Sequence, residues 1–114
     1  MTTASLEPTD SRQFILNKAV YRASEKLNLG FWKHLTDETD PELFLHEVIP
    51  ESSSRLTLGL FFVQVYTLLK DMGMENARHW LITPNKHLHM LAPYFLLHNS
   101  IETAQEVVAY LLNY

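Results

Sequence analysis

The sequence predicts an all-α fold, a compact bundle of about five to seven helices. Apolar residues recur at helical spacing in several stretches, and no stretch alternates with the period of two that a half-buried strand requires. Five prolines, three glycines and a set of cap-type residues divide the chain into helix-length pieces.

Residues 1–10 read as a flexible tail. Asp10 stands at an N-cap position with Gln13 three residues on, a capping-box spacing. The helix that follows places Phe14, Ile15, Ala19, Val20, Ala23 and Leu27 on a buried face, with Arg12, Lys18, Arg22 and Lys26 outside. Gly30 is the expected stop. Phe31, Trp32 and Leu35 form a short apolar turn, and Asp40-Pro41 opens a second short helix that uses Leu43, Phe44, Leu45, Val48 and Ile49. Pro50 and the run Glu51 to Ser54 end it as a loop.

From Arg55 to Met72 apolar residues cover most of a helix circumference, which predicts burial on two sides. In so short a chain this makes it either the central helix or a face shared with a second copy. Leu58, Phe61, Phe62, Val65 and Leu69 are the candidate homodimer interface. Gly73 ends this helix. Met74 to Ile82 forms the next, with Ala77, Trp80 and Leu81 inward, and Thr83-Pro84-Asn85 signals a turn. Pro93 to Leu97 is a short helical turn. Asn99, with Glu102 in the capping-box position, opens a last helix whose core positions are Ile101, Ala104, Val108, Leu111 and Leu112.

The chain of 114 residues is one domain's worth and has no cysteine, so disulfides and thiolate metal sites are absent. The first ten residues lack a basic start and a long apolar run, and the most apolar stretch, Leu56 to Leu69, is shorter than the ~20 residues of a membrane span; a cytoplasmic protein is expected. The net charge of −4 is concentrated in the middle, where Asp37, Glu38, Asp40, Glu42, Glu47 and Glu51 face only Lys33 and Arg55. With no basic stripe, nucleic-acid binding starts from a poor position.

The stretch Ala77-Arg-His-Trp80-Leu81-Ile-Thr-Pro84-Asn85-Lys-His-Leu88, followed by Pro93 and Val107-Val-Ala-Tyr110-Leu111, resembles the toxin-binding domain of the Xre/MbcA/ParS-type antitoxins. Trp80, Leu81, Pro84, Asn85, Leu88 and Pro93 match that family's pattern at its spacing. Leu16 to Leu29 is more loosely similar to the first helix of its Xre-like helix-turn-helix region. The resemblance divides the chain into an Xre-like region at 11–54, with a degenerate recognition segment, and a toxin-binding domain at 55–114. Two departures stand out. His89 and Met90 replace a Gly-Gly pair, and Phe95 stands where the family has an acidic residue.

The resemblance implies a non-catalytic antitoxin that neutralises a RES-domain toxin, a NAD-degrading enzyme, by docking on it and obstructing its active site. Asn85, Lys86, His87, His89, Tyr110, Asn113 and Tyr114 are the candidate toxin-binding residues. The alternative is a DNA-binding regulator of its own operon acting through residues 14–55. The would-be recognition segment, Leu35 to Ile49, carries five carboxylates and no Lys or Arg, and would repel a phosphate-lined groove.

Of the six histidines, His87-x-His89 alone has a loop-ligand spacing, and without a third ligand it reads as surface or partner contact, so no metal site is expected. Glu75 and His79 share a helical face without a nucleophile beside them, and Ser52 to Ser54 lack an oxyanion-loop context. No catalytic residue and no cofactor is expected.

Overall fold

A computed structural model describes residues 8–113, with side chains from Phe14 onward. Among these residues it contains α1 (Pro8–Leu27), α2 (Pro41–Leu45), α3 (Ser54–Leu69), α4 (Met74–Ile82), α5 (Pro93–Asn99) and α6 (Ile101–Leu112). Short 3-10 turns fill Phe31–His34, Lys70–Met72 and Lys86–Leu88. The fold is the expected all-α bundle. No helix among the described residues is long and apolar enough to cross a membrane.

Helix α1 begins earlier and ends earlier than the sequence suggested. It starts at Pro8, so the end of the expected tail is helical and Asp10 lies inside the first turns rather than capping them; residues 1–7 and the Asp10 and Gln13 side chains lie outside the described set. The stop is Asn28, not Gly30. Asn28 takes a left-handed φ of 56°, its N–H donates to the Glu25 carbonyl at 3.1 Å, and the Leu29 N–H donates to the Ser24 carbonyl at 3.0 Å. That paired closure is a Schellman motif, and Asn fills the left-handed position because its short polar side chain tolerates it better than most. Gly30 sits at φ −83° and leads into the 3-10 turn.

The buried face of α1 is Asn17, Val20, Ala23, Ser24 and Leu27, whereas Phe14 and Ile15 are exposed, contrary to expectation. Ser24 donates to the Val20 carbonyl and accepts from the Trp32 N–H, so one hydroxyl joins the helix to the turn that follows. Asn17 reaches further. Its amide donates to the carbonyls of Phe44 at 3.1 Å and Glu47 at 2.7 Å, closing the end of α2 onto α1.

The acidic segment is held by local capping. Asp40 accepts from the Glu42 N–H at 2.9 Å with Pro41 at the first helical position, as the sequence indicated. Thr36 donates to the Glu47 carboxylate and accepts from the Glu38 N–H, and Arg55 donates to the Leu35 carbonyl. Helix α2 has only five residues; Phe44 and Ile49 enter the core while Leu43 and Val48 stay in water. Ser53 leaves the expected loop to cap α3, accepting from the Arg55 N–H.

Helix α3 is the central element, lying against α1, α5 and α6. Gly59 permits the close approach of α1: a Cβ there would meet Leu35 at 3.3 Å and Val20 at 3.4 Å. Two-sided burial is thus satisfied within one chain. This corrects the proposed dimer face, because Leu58, Phe62, Val65 and Leu69 are 7% exposed or less in the monomer's own core and only Phe61 reaches the surface in part. The exposed apolar residues of this element are Leu60 and Leu68, followed by Met72 in the 3-10 turn. Gly73, at φ 93° and ψ 145°, makes the corner into α4 in a region essentially reserved for glycine.

Helix α4 spans the residues expected, with Ala77 and Leu81 buried and Trp80 half-buried. The last helix starts one residue later than predicted. Asn99 closes α5, and Ser100 caps α6 in a reciprocal box with Thr103, whose hydroxyl also donates to the Leu96 carbonyl at 2.7 Å. Ala104, Val107 and Val108 are buried, Ile101 and Leu111 partly so, and Leu112 faces water.

The Asn17 bridge sets a stability expectation. Asn17→Ala leaves two carbonyls without their buried donor and should lower unfolding free energy by about 2–3 kcal/mol in urea titrations. A loss below about 0.5 kcal/mol would mean that water replaces both bonds at no cost.

Candidate functional site

The segment between α4 and α5 is a closed loop organised by Asn85. Its backbone N–H donates to the Leu91 carbonyl at 3.1 Å, its carbonyl accepts from Leu88 at 2.9 Å and Met90 at 3.0 Å, and its side chain accepts from the His87 N–H at 2.8 Å. The residue is therefore a turn organiser, half-buried, and its side chain faces its own loop. Leu88 anchors the loop in the core.

Satisfying Asn85 twice forces the chain back on itself. His89 and Met90 take φ values of 61° and 60°, two consecutive left-handed non-glycine residues. Each such residue costs roughly 1–2 kcal/mol relative to its right-handed form. His89 Nε2 lies 2.9 Å from Glu106 Oε2, tying the strained corner to α6, although both groups are exposed and the tie is a weak one. Met90 is 65% exposed and Leu91 41%, so the loop presents apolar side chains to solvent.

Beside the loop three rings lie nearly parallel. Tyr110 stacks on Trp80 at 6.3 Å between centroids and on His87 at 5.8 Å, with interplanar angles of 18° and 21°. Of the residues singled out from sequence, His87 and Tyr110 are thus brought together, and His89 is drawn to Glu106 instead. Asn113 donates to the Ala109 carbonyl at 2.8 Å as the C-cap of α6, Lys86 is exposed, and Tyr114 lies outside the described residues. The His87-x-His89 pair diverges onto different partners, and no group of three or more metal-ligating side chains occurs among the described residues.

A second cluster was not legible in the sequence. His34, from the turn Phe31–His34, and His98, from α5, stack with ring centroids 3.8 Å apart and planes 3° from parallel. His34 Nε2 lies 3.1 Å from Tyr94 Oη, and Phe31 meets His34, Tyr94 and His98 edge-on. Two parallel imidazoles direct their in-plane lone pairs side by side and cannot converge on one ion. Burial holds His34 below its ordinary value of 6.5; burial first, and the neighbouring His34 second, hold His98 below it. Burial pushes the Tyr94 hydroxyl up to about 12. His34 is 60 positions from Tyr94 in sequence, and only the tertiary fold brings it to Tyr94 and His98, which share α5.

A cleft of about 370 Å³ opens at the end of α1, lined by Tyr21, Glu25, Asn28, Lys33 and Thr39. Its opposite charges, and Lys33 lying 5.8 Å from the Trp32 ring, leave no single ligand chemistry favoured. The carboxylates of Asp37, Glu38, Asp40 and Glu42 are all exposed, three of them on the approach to the five-residue helix α2 and Glu42 within it, so this segment presents negative charge. Neither known family models nor curated proteins match the chain.

Two measurable consequences follow from this geometry. Met90→Gly should raise stability by about 0.5–1 kcal/mol, the left-handed penalty less the entropy of glycine, and Met90→Val should lower it; urea titrations at neutral pH decide, and a loss in Met90→Gly would contradict the strain. The lowered His34 and His98 mean that the unfolded chain binds more protons below pH 6.5. Their stability contribution is then complete above that pH and lost as pH falls through the ordinary value toward the folded ones. Unfolding free energy should drop between about pH 7 and 5, with a shallower slope in His34→Gln/His98→Gln. An identical slope in the double variant would assign the drop to other groups.

Proposed function

We propose that the chain is a non-catalytic inhibitor of the antitoxin class, which docks on a RES-type, NAD-degrading toxin through its C-terminal half and obstructs that enzyme's active site. The observation that carries this reading is the loop at 83–92. Its sequence resembles the toxin-binding motif, and its two left-handed residues, His89 and Met90, occupy the positions where that motif has two glycines. Strain of this kind persists where surrounding structure holds it, and it collects at binding sites.

The neighbouring surface suits a partner protein. Trp80, Tyr110 and His87 form a rigid stacked row, and aromatic side chains with polar edges anchor interfaces at low entropy cost. Met90 and Leu91 add exposed apolar area beside it. The net charge of −4 favours encounter with a pocket built to hold a pyrophosphate, which needs basic groups.

The test is inhibition of NAD breakdown by a RES-domain enzyme, taken from the neighbouring genes if one is encoded there. His87→Ala/Tyr110→Ala should weaken inhibition of NAD breakdown at least tenfold with helicity retained, whereas Ile15→Ser, at the exposed start of α1, should inhibit as the wild type does. Undiminished inhibition by the double variant would refute the surface.

A further inference from the structure

We propose that the joint between the turn Phe31–His34 and α5 is a proton-operated latch, closed while His98 is neutral and loosened when His98 is protonated beneath an already charged His34. The joint is built from rings alone. His34 supplies the exposed ring of the stack and His98 the half-buried one, 3.8 Å away. Phe31, Tyr94 and Phe95 surround them, and Phe31 in turn lies flat on Phe62 of α3. Tyr94 is the titratable group that meets the pair, and among the described residues no carboxylate lies within ion-pair distance of either imidazole to neutralise an added proton.

The two protons are not equivalent. The first goes to His34, which keeps an edge in water and has Tyr94 Oη at 3.1 Å; with Nε2 protonated, the imidazole donates and the tyrosine oxygen accepts, so the contact survives. The second must enter His98, whose face is covered by the charged His34 ring and whose other neighbours are the rings of Phe31, Tyr94 and Phe95; a backbone hydrogen bond favours its charged form but is outweighed by burial and by His34. Like charges at this spacing disfavour the closed joint, and separating the rings relieves them. Leu96 and Leu97 remain core anchors of α5, so the loosening is local to the ring cluster.

Hydrogen exchange on the full chain, compared at about pH 7.5 and 5.0 after correction for intrinsic exchange rates, tests this. Amides of residues 30–36 and 93–99 should open at least tenfold more often at the lower pH, and at both pH values more often than those of residues 18–27, which open with the whole fold. His98→Gln should abolish the increase and His46→Gln should retain it. An undiminished increase in His98→Gln, no increase in the wild type, or opening of residues 18–27 as frequent at pH 5.0 as that of residues 93–99 would overturn the latch. Histidine titration by NMR on the wild type gives a check independent of any variant: His98 should titrate below His34, and His98 titrating at or above 6.5, its ordinary value, would overturn it as well.

Discussion

The parallel contact between Phe31 and Phe62, 3.9 Å between centroids and 3° between planes, is the constraint on which the rest of the structure depends. Both rings are fully buried, and their nearly face-to-face arrangement is not the one aromatic pairs prefer. The surroundings hold it. Ser24 and the Asn28 closure deliver the turn Phe31–His34 at a fixed height above α3, and Trp32 then falls against Phe44 and Tyr21. One stacked pair thereby joins α1, α2 and α3, and its outer edge carries the His34–Tyr94–His98 cluster that meets α5.

In the loop between α4 and α5, organisation comes from hydrogen bonding. Asn85 takes on four bonds within ten residues, and meeting all of them imposes the left-handed corner at His89 and Met90. A glycine pair would relieve that corner. Side chains in its place put an imidazole on Glu106 and a thioether in solvent.

Residues whose role depends on neighbours in sequence were legible there. Asp40-Pro41 caps α2, Gly73 turns the corner, Asn85 organises its own loop and α4 has the expected limits, because capping and turn chemistry act over three or four residues. Two close competitors were misjudged for the same local reason. Asn28 stops α1 two residues before Gly30, and Ser100 caps α6 directly after Asn99; adjacent cap-type residues cannot be ranked without knowing where the helix must end to pack. The misreading of α3 had a different origin. Its apolar circumference gave two-sided burial correctly, but a count of apolar positions does not say whether the second side meets α6 or another chain, and Leu58, Phe62, Val65 and Leu69 proved to be internal. The histidine cluster left no sequence signal, since its members come from two segments that meet only across the core.

The proposed docking surface joins the loop motif at 77–93 to side chains from separate elements, α4, the turn Lys86–Leu88 and the end of α6. We propose that this surface, and not the acidic half of the chain, receives the partner. A hydrogen-exchange footprint of the chain with the RES-domain enzyme proposed as its partner tests that most directly. Protection confined to residues 80–92 and 106–113 is the result this account requires; protection confined to residues 14–50, or none in a complex that nevertheless forms, would contradict it.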